Sequence, residues 1–239
     1  MAIIKGNVSG SKLEIDAATL AARTQLRPTD VGTLGSYQID TVSGIMAAGL
    51  AGASPIYSCR WGDATRAMVV HRIALAAWCL GTAFAAGNFN FDVVVARGFT
   101  SSDTGGASIL PTGNSQKKRT SFGTTLITDL RQSATATLAA VARTLDAQPV
   151  ASVKGFVPAT TVNYPIVGDM SSPVVATAST VVWGIAPKNL VSQEVAADWP
   201  LVFVQNEGFI IRTTVPGTGT WSFSVQMEWS EVVTTAGFN

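Results

Sequence analysis

Trp221-Ser222-Phe223-Ser224-Val225-Gln226-Met227-Glu228-Trp229-Ser230-Glu231 alternates strictly between apolar and polar residues over most of its length. Trp221, Phe223, Val225, Met227 and Trp229 point one way; Ser222, Ser224, Gln226, Glu228 and Ser230 point the other. A β-strand repeats every two residues, so this run has one greasy face and one wet face. A helix would scatter those five large side chains around its circumference. The best-defined segment of the chain is therefore a strand, and it is architectural.

Outward from that run, Asn206-Glu207-Gly208 and Pro216-Gly217-Thr218-Gly219 supply tight turns between strands expected at 201–204, 209–215 and 221–233. Further strands are expected at 56–61, at 67–78 (one long strand or two short ones around Arg72) and at 88–97. In the last of these, Phe89, Phe91, Val93 and Val95 share a face. The 81–87 stretch reads as a hairpin connection or short loop. Residues 174–185 suit a strand, and 134–145 lean the same way, since Thr135, Thr137 and Val141 outweigh the helical bias of Leu138-Ala139-Ala140. Two short helices are expected, at 190–197 before Trp199-Pro200 and at 16–26 between Asp16 and Pro28; an extended arm is the alternative for the second. Short strands with turn signals and little helix indicate an all-β, two-sheet, jelly-roll-like sandwich. The division expected is an extended N-terminal arm over 1–55 and a sandwich domain over 56–239.

Composition narrows the function classes. Charged residues make up 13% of the chain against a usual value of about 25%. So thin a charged coat suggests a surface covered by copies of itself or by a partner, with a neutral Ser/Thr/Gly/Ala surface as the alternative. Net charge is +1, from 16 basic and 15 acidic residues, without the basic excess that gripping nucleic acid requires. The longest apolar stretch, 73–86, falls short of the roughly 20 residues of a bilayer helix, so no membrane partner is expected. The first residues lack a signal-peptide core, which points to folding in the cytoplasm. Cys59 and Cys79 then read as buried free thiols, and two Cys with one His cannot complete a zinc site, so neither metal nor cofactor is expected.

Catalytic patterns are weak. His71 is the sole histidine and sits in an apolar strand, where a structural role is the default. Glu228 and Glu231 lie three apart on opposite faces of one strand. Glu231 continues the apolar register, but at the strand's end it reads as solvent-facing. Gly217-Thr218-Gly219 reads as a hairpin turn and not a phosphate cradle, because no helix follows it. The tryptophans are expected to be buried. No enzyme activity is expected.

Contact residues are better represented. The 100–116 stretch is the clearest long loop, and Lys117-Lys118-Arg119, the one basic run, follows it. Met46 and Leu50 lie in a Gly/Ala-rich segment suited to close packing against a neighbour. These five residues are the expected partner contacts.

Ile56-Tyr57-Ser58-Cys59-Arg60-Trp61 with Asp63-Ala64-Thr65-Arg66, Arg143-Thr144-Leu145-Asp146-Ala147-Gln148-Pro149, and Asn206-Glu207-Gly208-Phe209 leading to Gly219-Thr220-Trp221 and Glu228-Trp229 resemble segments of a family of virion-associated proteins of tailed bacteriophages. The resemblance spans roughly 30–233 and rests on sheet and turn residues. It implies a capsid decoration, or cement, protein on the virion surface, made in the host cytoplasm, homo-oligomeric as a dimer or trimer, and bound to the major capsid protein. The arm, roughly 3–53, would cross a neighbouring subunit, and the 100–119 loop would touch the shell. A receptor- or glycan-binding head-fibre or tail module is the alternative reading, and a jelly-roll major capsid subunit a further one.

Overall fold

A computed structural model describes residues 34–50, 52–159 and 200–233, with strand segments at 14–15, 22–23 and between 165 and 192. In chain order the principal strands are β1 (Gly35–Val42), β2 (Met46–Ala47), β3 (Ser54–Trp61), β4 (Arg66–Leu80), β5 (Gly87–Arg97), β6 (Ala107–Ser108) and β7 (Ile127–Gln132). They continue with β8 (Thr144–Leu145), β9 (Ala151–Val157), β10 (Pro165–Val167), β11 (Lys188–Ser192), β12 (Leu201–Phe203), β13 (Glu207–Thr214) and β14 (Thr220–Val233). Two seven-stranded antiparallel sheets form a sandwich. The first runs β8-β5-β13-β3-β7-β6, with β9 also on β5; the second runs β10-β4-β14-β1, with β11 and β12 also on β4 and β2 on β14.

The alternation of 221–231 places its apolar face between the sheets. Trp221, Phe223, Val225, Met227 and Trp229 are all fully buried, in one core with Tyr57, Cys59 and Trp61 of β3 and Phe91 and Val93 of β5. Aromatic contacts tie the layers: Trp221 meets Phe91 edge-on at 5.8 Å between ring centroids, and Phe203 of β12 stacks on Phe209 of β13 at 6.0 Å. Cys59 and Cys79 are free and buried in opposite sheets, and burial pushes both thiols above their ordinary range.

Successive strands repeatedly change sheet, as in a jelly roll. β3 lies in the first sheet, β4 in the second and β5 in the first; β12, β13 and β14 repeat the swap. The turns at 81–87, 206–208 and 216–219 are therefore crossings between layers and not hairpins within one. A hairpin at 216–219 is corrected on that ground. Asn206 and Gly219 take left-handed backbones there (φ 62° and 108°), which the reversals demand.

Several other expectations are revised. Residues 35–55 are not an arm. Gly35–Val42 pairs with β14 from Ser224↔Val42 to Glu231↔Gly35, so the sandwich begins near residue 35. Of 16–26 only Ala22–Arg23 is described, and it pairs as strand with Glu14–Ile15. Most of the expected arm, with Trp183, Trp199 and 193–199, lies outside the described residues. Lys188–Ser192 is strand, not the start of a helix. Residues 134–143 form a loop with one isolated bridge, Thr104↔Ala139.

Candidate contact surface

The free edge of β1 brings two exposed apolar side chains, Val42 and Ile45, beside the basic run. β1 ends the second sheet, so its outward backbone groups have no full strand to meet. The 116–118 segment satisfies half of them: the Gln38 N–H donates to the Gln116 carbonyl at 3.0 Å, and the Lys118 N–H donates to the Ser36 carbonyl at 2.9 Å. The same two-residue phase turns the N–H groups of Asp40 and Val42 outward, and no described residue accepts them. Beside them Val42 and Ile45 are each 63% exposed.

The basic run is thus a short strand-like flap on this edge. Lys118 pairs with Glu228 at 2.8 Å, Lys117 Nζ donates to Asn114 Oδ1 at 2.9 Å, and the Arg119 guanidinium lies 5.4 Å from the Phe122 ring centre. Among the described residues no carboxylate pairs with Lys117 or Arg119. Met46 and Leu50 are corrections to the expected contact set. Met46 is fully buried in β2 opposite Trp221, Leu50 is 9% exposed, and both belong to the core, so neither is free to meet a partner.

A buried carboxylate holds the loop in place. Glu231 does not face solvent. It is fully buried, accepting from Thr125 Oγ1 at 2.8 Å and the Leu126 N–H at 2.7 Å, with Arg66 at 3.0 Å. The Trp229 indole N–H donates to Thr125 Oγ1 at 3.3 Å, and the Tyr37 hydroxyl donates to the Gly123 carbonyl at 2.9 Å. Burial, reinforced by the Glu231 charge and opposed by Arg66, lifts the Tyr37 phenol to about 12. The register of Glu231 was legible in sequence. Its partners, more than a hundred residues upstream, were not.

A second polar cluster sits on the outer face of the first sheet. Asp103, fully buried, accepts from Arg143 and from the Val141 N–H at 3.1 Å, and the Arg143 guanidinium covers Phe99 at 4.8 Å. Asp129 pairs with Arg131 at 3.3 Å, and Arg60 reaches Ser102 at 3.4 Å. Burial raises the Asp129 carboxyl; Arg131 opposes this and the Asp103 charge adds to it. Nearby, Arg97 joins Asp146 at 3.0 Å and Glu207 at 2.8 Å. Arg60, Arg143, Asp146 and Glu207 of these pairs belong to the quoted Ile56–Trp61, Arg143–Pro149 and Asn206–Phe209 segments, and they clamp loops onto the sheet.

His71 occupies a bulge where Glu228 pairs with Arg72 and Trp229 with Val70, and its Nε2 lies 2.7 Å from Ser230 Oγ. Ser230 is 2% exposed on a central strand flanked on both sides, so the pair lacks the accessible hydroxyl and free N–H donors of an acyl-transfer site. Among the described residues no group of three or more His, Cys, Asp or Glu could hold a metal, and no helix is long and apolar enough to cross a membrane. No family model, curated protein or solved structure matches the chain.

Proposed function

We propose that this chain is a non-enzymatic virion protein of a tailed phage, a capsid decoration protein that binds and stabilises the shell of the major capsid protein as a homo-oligomer. The observation that carries the reading is the β1 edge: N–H groups of Asp40 and Val42 that no described residue accepts, exposed Val42 and Ile45, and a basic flap pinned beside them. Such an edge gives backbone hydrogen bonds and apolar burial together, which is what a binding-only protein must supply. The low charge of the chain and the resemblance of its turn segments support the same assignment. Its buried ionic groups tie loops to sheets, a use that favours rigidity.

Co-sedimentation with shells assembled from the major capsid protein encoded by the same phage tests it. Wild-type protein should pellet with shells and raise their melting temperature. Val42→Lys with Ile45→Lys should lose both effects while keeping its own thermal transition, since both side chains are exposed. Failure of the wild type to pellet, or full binding by the double variant, refutes the reading.

A further inference from the structure

The opposite lateral edge of the sandwich carries a different chemistry. β9 pairs only with β5 in the first sheet and lies against β10 and β11 of the second, far across the layers from β1. Its Phe156 is 61% exposed, the largest side chain among the exposed hydrophobics described. Phe156 sits directly opposite Asn88, and Lys154 opposite Asn90, so all four project from the outer face. A cleft of about 620 Å³ opens there, with Thr214, Phe89 and Gly155 also lining it. Phe89 tucks against Gly155, where a Cβ would meet its ring at 2.5 Å.

The polar groups divide into used and unused. Asn90 is held at both ends, its Oδ1 accepting the Thr214 N–H at 2.9 Å and its Nδ2 donating to Asp92 at 3.2 Å. Asp92 is further engaged by Ser152 at 2.6 Å and Arg212 at 3.4 Å. Lys154 is left with no carboxylate partner among the described residues, and the Asn88 amide with no hydrogen-bond partner there. An exposed aromatic face, a free amide directly across from it and an uncompensated cation two residues along therefore meet in one cleft.

We propose that this cleft binds a saccharide bearing a carboxylate, of the hexuronate type. The apolar C–H face of a pyranose stacks on Phe156, vicinal hydroxyls bond the Asn88 amide, and the carboxylate meets Lys154. Two residues of strand set Phe156 and Lys154 about 7 Å apart, a span that a ring and its carboxyl substituent bridge. The lone positive charge decides for an acidic sugar over a neutral one. This role goes beyond shell binding and uses the edge remote from β1.

The test is an NMR titration of the full chain with cellobiouronic acid, and with cellobiose, which carries a hydroxymethyl group in place of the carboxylate. The Phe156 ring resonances should shift saturably with the acid, at a dissociation constant of about 1–10 mM. Cellobiose should bind about tenfold more weakly. Lys154→Gln should make the two sugars equal, and Phe156→Ala should abolish both without lowering the melting temperature. Equal binding of both sugars by the wild type, no saturable shift at the solubility limit, or retained binding in Phe156→Ala overturns the proposal. So does tighter binding of a poly-aspartate peptide at the same resonances. Phe156→Ala should still pellet with shells; its loss from the pellet would give the patch to the shell contact instead. A wild type that ignores shells but binds the acidic sugar would sink the decoration reading alone.

Discussion

Glu231 and Asp103 are both fully buried carboxylates that face an arginine, yet one is completely satisfied and the other is not. Glu231 lies inside the sandwich and accepts on both oxygens, from Thr125, Leu126 and Arg66. Asp103 lies outside the first sheet under its own loop. Its Oδ1 takes Arg143 and Val141, while its Oδ2, like Asp129 Oδ2 and Arg60 Nε, is buried with no hydrogen-bond partner among the described residues. A buried charge destabilises until its lone pairs are met, so the inner site contributes more stability per ion pair than the outer one. The difference separates a clamp completed by the core from one assembled by loops.

The contrast breaks most directly at Glu231. Glu231→Ala should cost about 3 kcal/mol in urea unfolding, because it strands Arg66 and frees the loop at Thr125 and Leu126. A loss under about 1 kcal/mol would erase the distinction. Asp103→Ala should cost less, about 2 kcal/mol, since the site it leaves was already partly unsatisfied and Arg143 keeps its place on Phe99.

Asp129 sharpens the comparison through pH. Its carboxyl is raised above the ordinary 3.8 by burial, with Arg131 pulling it back and Asp103 pushing it further. Between the unfolded and folded values the native state holds a proton that the unfolded chain has released. Stability therefore falls as pH rises through that window and is regained on acidification. Asp129→Asn should flatten this slope in denaturation curves measured across the window; an unchanged slope would remove Asp129 as its source. Least affected should be Arg97→Met, under about 1 kcal/mol and smaller still at high salt, because Arg97 is more than half exposed where it meets Asp146 and Glu207.

Long period-two runs were legible in the sequence because burial on one face alone dictates them. β14 and the first half of β5 follow that rule, whereas β4 was legible as a long apolar run, buried on both faces, and proved to be one strand with His71 at its bulge. β7 (Ile127–Gln132) escaped notice because Asp129, Arg131 and Gln132 interrupt its apolar residues, and their burial comes from a loop laid over the outside. β9 does alternate, with Ala151, Val153 and Val157 facing inward, but Gly155 and the outward Phe156 disguise the period. Met46 and Leu50 misled for a related reason. Their Gly/Ala surroundings resemble an arm, while Met46 pairs with Trp221 of β14 far downstream and both side chains join the core. The contact surface was half legible: the basic run stood out, but nothing local shows that it borders the β1 edge.

The position of β14 has a consequence for how the molecule is made. It lies between β4 and β1, pairing with residues 66–80 on one side and 35–42 on the other. Those two strands have no contact of their own in the ladder, so the ribosome must deliver residues 220–233 before the second layer has a centre. Until then the nascent chain holds apolar strand edges apart, and chaperone occupancy should persist until those residues emerge. A chain stopped before Thr220 should show no native near-ultraviolet circular dichroism; a native signal from it would mean that the earlier strands can organise without their keystone.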